Sequence, residues 1–167
     1  MINKLNYIII TLFGIGKLKK MPGTFASLST TIFLFFLLHV FYFSQNLILL
    51  LILITFFYSF YGINNYTKNL ENKDPKEVVI DEFIGQSIPI YLYEISHGTE
   101  KSFSDAIIFY IIIFFLFRFF DIIKPFPVSY FDKKHKNSFG VIMDDVIAGL
   151  YVVLVLIIFM VIKKLIY

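Results

Sequence analysis

The chain has 167 residues, 58% of them hydrophobic, with 22 Phe, 11 Tyr and a formal net charge of +3. A soluble domain carries roughly 45 to 50% apolar residues, so this excess excludes most soluble classes and predicts an apolar, lipid-facing surface. The charges fall in short blocks between apolar runs, which argues against a nucleic-acid partner, and the absence of cysteine excludes disulfides, a thiolate nucleophile and a Cys-based zinc site.

The first third of the chain predicts a short helix followed by a transmembrane hairpin. Lys4 precedes an apolar stretch that is shorter than the roughly 20 residues of a membrane helix, so an interfacial N-terminal helix is expected there. Between Lys20 and Lys68 there is no Lys, Arg, Asp or Glu. A polar break at residues 44 to 46 divides this stretch into two helices that are each near the length of a membrane span.

A third membrane helix is predicted to begin at Asp74. This residue is followed by Pro75 and then by Glu77, which together form the pattern of an N-cap, a proline at the first helical position and an acid in the first turn. The helix is expected to run to about Tyr93, with a kink at Pro89.

Two more membrane helices are predicted over residues 106 to 120 and 139 to 162. The first is apolar all round, and Pro125 and Pro127 follow its end before a polar loop. The predicted fold is therefore an all-α, polytopic membrane helix bundle, with about five membrane-crossing helices plus a short N-terminal interfacial helix. One membrane-embedded domain is expected over residues 1–167.

The distribution of lysines predicts that the acidic residues share one face of the membrane. Lysines precede the first long helix, whereas the turn after it carries no charge, which places the N-terminal segment inside the cell. Following the chain from there brings six acids to the cytoplasmic side. They are Asp81, Glu82, Asp121, Asp132, Asp144 and Asp145.

Two adjacent acidic pairs, Asp81 with Glu82 and Asp144 with Asp145, lie in apolar stretches and would be costly to bury without a neutralising cation. Oxygen ligands favour Mg²⁺ over zinc. Neighbouring helical residues point about 100° apart, so one member of each pair is expected to reach a shared centre while the other orients a ligand. The alternative is that these are helix N-terminal acids favoured by the helix dipole, an explanation that suits Asp144 and Asp145 better.

Arg118, Asp121 and Lys124 are spaced at i, i+3 and i+6, so that neighbouring members share one helical face and two cations surround one anion. Arg118 is also the only arginine of the chain. These cations are candidates for binding phosphate. The alternative is a membrane-edge helix whose charges snorkel and pair with one another.

A second candidate phosphate site is the turn before the first long helix, where the hydroxyl groups of Thr24 and Ser27 lie near a helix N-terminus. Such a start is also typical of a simple helix cap. His135, in a lysine-rich loop, is a weaker candidate ligand.

Read in order, four blocks of the sequence resemble the phosphatidylglycerophosphatase A family. The blocks are Pro22, Gly23, Thr24 and Ser27; Asp81, Glu82 and Gly85; Phe117, Arg118, Asp121, Lys124, Pro125 and Pro127; and Gly140, Asp144, Asp145, Ala148 and Gly149. The resemblance implies a Mg²⁺-dependent phosphomonoesterase that converts the anionic phospholipid phosphatidylglycerophosphate to phosphatidylglycerol during phospholipid biosynthesis. It also implies a bacterial inner-membrane location with the active site on the cytoplasmic side.

The resulting hypothesis assigns each candidate residue a role. Metal ligands are drawn from Asp81, Glu82, Asp121, Asp144 and Asp145; the catalytic set is Asp81, Glu82, Asp121 and Asp145, with Glu82 as the base; the phosphate-binding set is Arg118, Lys124, Thr24 and Ser27. Attack by water and attack by a carboxylate both remain open.

Two other classes of function stay in view. The acids could form a pathway in a small cation- or proton-coupled transporter, or they could be dispensable in a membrane scaffold. A pathway would spread its acids through the depth of the membrane, whereas this sequence places them on one side. The sequence does not indicate an oligomeric state.

Overall fold

The protein is built from helices. The computed structural model describes residues 4–72, 74–97, 103–134 and 137–166, and within these ranges it contains no strand. The helices are α1 (Lys4–Ile10), α2 (Pro22–Phe35), α3 (Gln45–Thr67), α4 (Ile80–His97), α5 (Phe103–Ile123), α6 (Val128–Lys134) and α7 (Ser138–Ile166). A 3₁₀ turn, Ile15–Lys17, precedes α2, and α2 continues as a π-helical stretch, Phe36–Val40. The predicted all-α class is confirmed.

Four helical segments are long and apolar enough to cross a membrane. They are Pro22–Val40, Gln45–Thr67, Phe103–Ile123 and Ser138–Ile166. Their outer faces expose large apolar side chains such as Phe57 and Phe115. Such a surface is stable in lipid and would be an aggregation hazard in water, so the chain forms a membrane helix bundle.

Helix α4 lies at the centre of this bundle, where it contacts α2, α3, α5 and α7. Ile80, Ile84 and Ile90 are almost completely buried along it. Because other helices surround α4, it does not need an apolar outer surface, and it is less apolar than the four spans. It corresponds to the third of the five predicted membrane crossings, and that it crosses the membrane stays a prediction.

The backbones of α4 and α7 touch where two glycines meet. A Cβ atom on Gly149 would collide with the carbonyl oxygen of Gly85, and one on Gly85 would collide with the carbonyl oxygen of Asp145 and the ring of Phe117. Small residues permit such close packing of membrane helices, since apolar side chains gain little from leaving lipid. The contact holds the N-terminal halves of α4 and α7 together.

The predicted start of the third membrane helix was wrong. The helix does not begin at Asp74, because α4 begins only at Ile80. The amide of Val78 closes a single turn on the carbonyl oxygen of Pro75 at 2.9 Å, and the amide of Val79 then donates to the carbonyl oxygen of Ile10 at 3.0 Å instead of continuing that turn as a helix. A contact distant in sequence has overridden the local capping pattern.

The observed helix starts reverse the prediction of which acidic pair lies at a helix N-terminus. Asp81 and Glu82 lie in the first turn of α4. Asp144 and Asp145 lie beyond the first turn of α7, which begins at Ser138. Because the dipole effect falls off within the first turn, it does not account for Asp144 and Asp145. Part of the predicted polar loop after α5 is also helical, as α6.

Substituting Gly149 tests the contact between α4 and α7. The Gly149→Ala variant should lose about 1–3 kcal/mol of unfolding free energy, because the added methyl group forces two touching backbones apart. Leu150→Ala is the control, since Leu150 is a neighbouring side chain that faces outward. Thermal unfolding in detergent measures both variants. Equal stability of Gly149→Ala and the native protein would contradict this packing.

Candidate active site

A polar cavity of about 350 Å³ lies at the end of the bundle where α2, α4 and α7 begin and α5 ends. Its lining comprises Met21, Pro22, Gly23, Asp74, Lys76, Val78, Asp81, Glu82, Arg118, Asp121, Lys124, Val141, Asp144 and Asp145. Most of the acidic and basic residues singled out from the sequence are therefore in one cavity. Asp74 and Lys76 were not predicted as site residues, and only the fold brings them there.

Three carboxylates in this cavity form a compact cluster. Asp81 and Glu82 of α4 and Asp145 of α7 each place an oxygen within 4.8 Å of the others, an arrangement that could hold a metal ion. One oxygen of each is buried and has no hydrogen-bond partner among the described residues. Buried carboxylates that face one another are unfavourable unless a cation or protons neutralise them. The cluster therefore has the charge and the donor atoms of a cation site.

Gly23, at the start of α2, lies against the acid cluster. A Cβ atom on this residue would collide with the carboxylate of Glu82 and would lie 3.4 Å from Nη1 of Arg118. A glycine at this position therefore allows the N-terminus of α2 to close against Glu82 and Arg118. This explains in physical terms why glycine is the second residue of this helix.

Arg118 lies beside the acid cluster and has partners on two sides. Its Nη1 forms an ion pair with Oδ2 of Asp121 at 2.6 Å and donates a hydrogen bond to the hydroxyl of Ser27 at 3.3 Å. Its buried Nε has no partner among the described residues. The guanidinium group thus retains an unused donor, and its planar fork suits a phosphate.

Lys124 connects three elements at the edge of the cavity. Its Nζ donates to Asp132 of α6 and, at 2.8 Å, to Oδ2 of Asp144 of α7. Burial disfavours the charged amine, but the attraction of Asp144 and the hydrogen bonds to both carboxylates outweigh it and raise the pKa of Lys124. Because a raised pKa keeps the amine protonated through neutral pH, Lys124 stays positively charged there and loses its charge only in strong alkali.

The two acidic pairs differ in how many of their members reach the acid cluster. In α7 the prediction agrees with the geometry, since Asp145 joins the cluster while Asp144 accepts a hydrogen bond from Lys124. In α4 the expectation of one participating residue was wrong, because both Asp81 and Glu82 reach the cluster. The additional methylene group of glutamate lets Glu82 reach a centre that lies between the two side-chain directions.

The predicted phosphate-binding hydroxyls lie outside the cavity lining. Ser27 is fully buried, and its hydroxyl donates to the carbonyl oxygen of Gly23 at 2.9 Å while accepting from Arg118. Thr24 is partly buried in the first turn of α2. His135 lies outside the described residues.

Comparisons with known proteins identify the family of the chain. The family model for phosphatidylglycerophosphatase A matches residues 8–160. Phosphatidylglycerophosphatase A of Haemophilus influenzae is 36% identical over 143 residues, which cover 86% of this chain and 81% of that protein. A putative phosphatidylinositol-3-phosphatase of Bacteroides thetaiotaomicron is 35% identical over 147 residues, 86% of each chain.

A third relative is more distant. Phosphatidylglycerophosphatase A of Escherichia coli is 26% identical over 137 residues, which cover 82% of this chain and 73% of that protein. No solved structure matches the chain. On the extent of the family match and the coverage of these relatives, the chain belongs to the phosphatidylglycerophosphatase A family and is a lipid phosphatase of the membrane.

Proposed function

We propose that the protein is a Mg²⁺-dependent phosphatidylglycerophosphatase, which hydrolyses the terminal phosphomonoester of phosphatidylglycerophosphate to phosphatidylglycerol and phosphate. One observation carries the proposal: a cluster of three carboxylates, two of them buried and one partly buried, lies beside an arginine with an unused donor, at one end of a membrane helix bundle. The family match and the named relatives support the choice of lipid. The phosphatase domain would extend over residues 1–167.

The residues of the cluster fit a magnesium ion. All the donors are carboxylate oxygens, and three of these oxygens are buried without a partner among the described residues. Asp81, Glu82 and Asp145 would hold the ion, and Asp121 and Asp144, which line the same cavity, are the further candidate ligands. Bound Mg²⁺ would supply Lewis acidity toward the phosphoryl oxygens and lower the pKa of a water.

The remaining residues bind and orient the substrate phosphate. Arg118 would donate to the phosphate oxygens, and its position is set by Asp121 on one side and the Ser27 hydroxyl on the other. Ser27 therefore acts on phosphate through Arg118, which revises its predicted direct contact. Lys124 adds positive charge at the rim. Glu82 would accept the proton of the attacking water.

The location of the site suits a lipid substrate at a membrane surface. The cavity lies at the end of the bundle, where acyl chains can stay in the bilayer while the charged head reaches the carboxylates and Arg118. We place this end on the cytoplasmic side of the bacterial inner membrane, because lysines before α2 predict that orientation. The enzyme would thus act in phospholipid biosynthesis.

Two other functions can be separated from this one. The Bacteroides relative bears the name of a phosphatase for a different phospholipid head, so phosphatidylinositol 3-phosphate is a second candidate substrate. A transporter would place acids along a path through the membrane, whereas the cavity gathers Asp81, Glu82, Asp121, Asp144 and Asp145 at one end.

Phosphate release tests the proposed reaction. Purified protein in detergent should release inorganic phosphate from phosphatidylglycerophosphate with Mg²⁺ and not with a chelator. Asp81→Asn should lower the rate at least about a hundredfold, because it removes a carboxylate from the cation site. Asp105→Asn, at the exposed start of α5, is the matched control and should leave the rate unchanged.

The outcomes distinguish the alternatives. No Mg²⁺-dependent release from phosphatidylglycerophosphate or from phosphatidylinositol 3-phosphate would overturn the proposed reaction. Faster release from phosphatidylinositol 3-phosphate would leave phosphomonoester hydrolysis as the reaction but make phosphatidylinositol 3-phosphate the preferred substrate.

Thermal unfolding tests the cation site without activity. Without metal, Asp145→Asn should be more stable than the native protein, because one of three facing carboxylates has become neutral. Mg²⁺ at about 100 times its Kd should stabilise the native protein by about 2.7 kcal/mol but leave Asp145→Asn nearly unchanged. Asp105→Asn should respond like the native protein. Equal stabilisation of Asp145→Asn would place the ion elsewhere.

A further inference from the structure

An apolar groove of about 470 Å³ runs between α2 and α5, two of the helices able to cross the membrane. Its walls are formed by Leu28, Ile32, Phe36, Ile107, Ile111 and Phe115, all of which are exposed. In the membrane these side chains face lipid rather than water. The groove is therefore a concave, lipid-facing surface in the wall of the bundle.

The floor of the groove hides its polar atoms. Thr31 and Tyr110 line it and are almost fully buried. The hydroxyl of Thr31 donates to the carbonyl oxygen of Ser27 at 2.8 Å, and the hydroxyl of Tyr110 lies beside Glu94. A molecule in the groove would thus meet hydrocarbon and aromatic carbon, which suits an acyl chain and no polar ligand.

The groove lies along the same two helices that meet beside the polar cavity. Arg118 of α5 and Ser27 of α2, joined by a hydrogen bond of 3.3 Å, lie at the cavity end. Leu28 directly follows Ser27, and Phe115 lies one helical turn before Arg118. The near end of the groove is therefore within about one turn of the arginine that we assign to phosphate.

Aromatic rings pack together at the other end of the groove. The ring of Phe35 lies 5.2 Å from that of Phe103 and 5.3 Å from that of Tyr110, both in edge-on geometry. From Leu28 to Phe36 the groove follows α2 for about 12 Å at 1.5 Å per residue. The groove thus has its near end about one turn from Arg118 and runs from there toward the opposite end of the bundle.

We propose that this groove between α2 and α5 seats an acyl chain of the lipid whose phosphate head lies in the acidic cavity. The inference rests on the proposed function for the identity of the head. Because an acyl chain gains little free energy on moving from bilayer to an apolar protein surface, the groove acts by orientation. It aligns the lipid so that the phosphomonoester points at Arg118 and the acid cluster, and misplacement of a bound substrate lowers the rate steeply.

Filling the groove with a larger side chain tests the proposal. Ile111→Trp should lower kcat/KM for long-chain phosphatidylglycerophosphate by about tenfold or more, because the indole occupies the path of the acyl chain. A short-chain, water-soluble form of the same lipid should be hydrolysed at the native rate. Ile158→Trp on α7 is the matched control, since Ile158 is 49% exposed and Ile111 is 50% exposed, and it should affect neither substrate.

The pattern across the two substrates decides the outcome. An equal loss on both substrates by an Ile111→Trp variant that unfolds at the native temperature, or an equal response of Ile158→Trp, would overturn the groove. Misfolding is recognised separately, by a lowered unfolding temperature in detergent. If the native protein releases no phosphate from either substrate, the proposed function fails. Whether the groove binds an acyl chain must then be tested by a binding experiment.

Photocrosslinking supplies that binding test. Long-chain phosphatidylglycerophosphate carrying a diazirine in its acyl chain should label peptides from residues 28–36 and 107–115 of the native protein. Ile111→Trp should reduce this labelling several-fold, whereas Ile158→Trp should not. Even labelling of all four membrane-crossing helices, unchanged in Ile111→Trp, would refute an acyl-chain site.

Discussion

The contact between α4 and α7 at Gly85 and Gly149 is the constraint on which the site depends. Neither position has room for a Cβ atom, so the two backbones meet directly. Asp81 and Glu82 lie one turn before Gly85, and Asp145 lies one turn before Gly149. The glycine contact therefore brings carboxylates from two helices, distant in sequence, to within 4.8 Å of one another.

Carboxylates this close repel one another unless positive charge compensates them, and the neighbouring side chains supply only part of that charge. Arg118 supplies one positive charge, but it is already paired with Asp121. Lys124 is engaged with Asp132 and Asp144. The charge of the cluster is thus left largely uncompensated by the described residues, which is the electrostatic condition that favours binding of a divalent cation.

The bundle separates two physical environments that a lipid phosphatase must join. At one end, α2, α4, α5 and α7 surround a polar cavity with Arg118 and the acids. Along the side, α2 and α5 form an apolar groove. The hydrogen bond between Ser27 and Arg118 joins α2 to α5, with Arg118 in the cavity lining and Leu28 of the groove next to Ser27. Head and chain of one lipid could be held by the same pair of helices, with no transfer of the chain into water.

The sequence by itself determined the helical membrane class, because the length and apolarity of its hydrophobic runs leave few alternatives in lipid. It also predicted which side chains are candidates for chemistry, since charged residues inside such runs are costly and therefore few. Only the tertiary structure decided that α4 begins at Ile80, that both Asp81 and Glu82 join Asp145, and that Ser27 supports Arg118 instead of lining the cavity. These outcomes depend on contacts between distant segments, such as Val79 with Ile10 and Gly85 with Gly149, which local spacing and propensity do not specify.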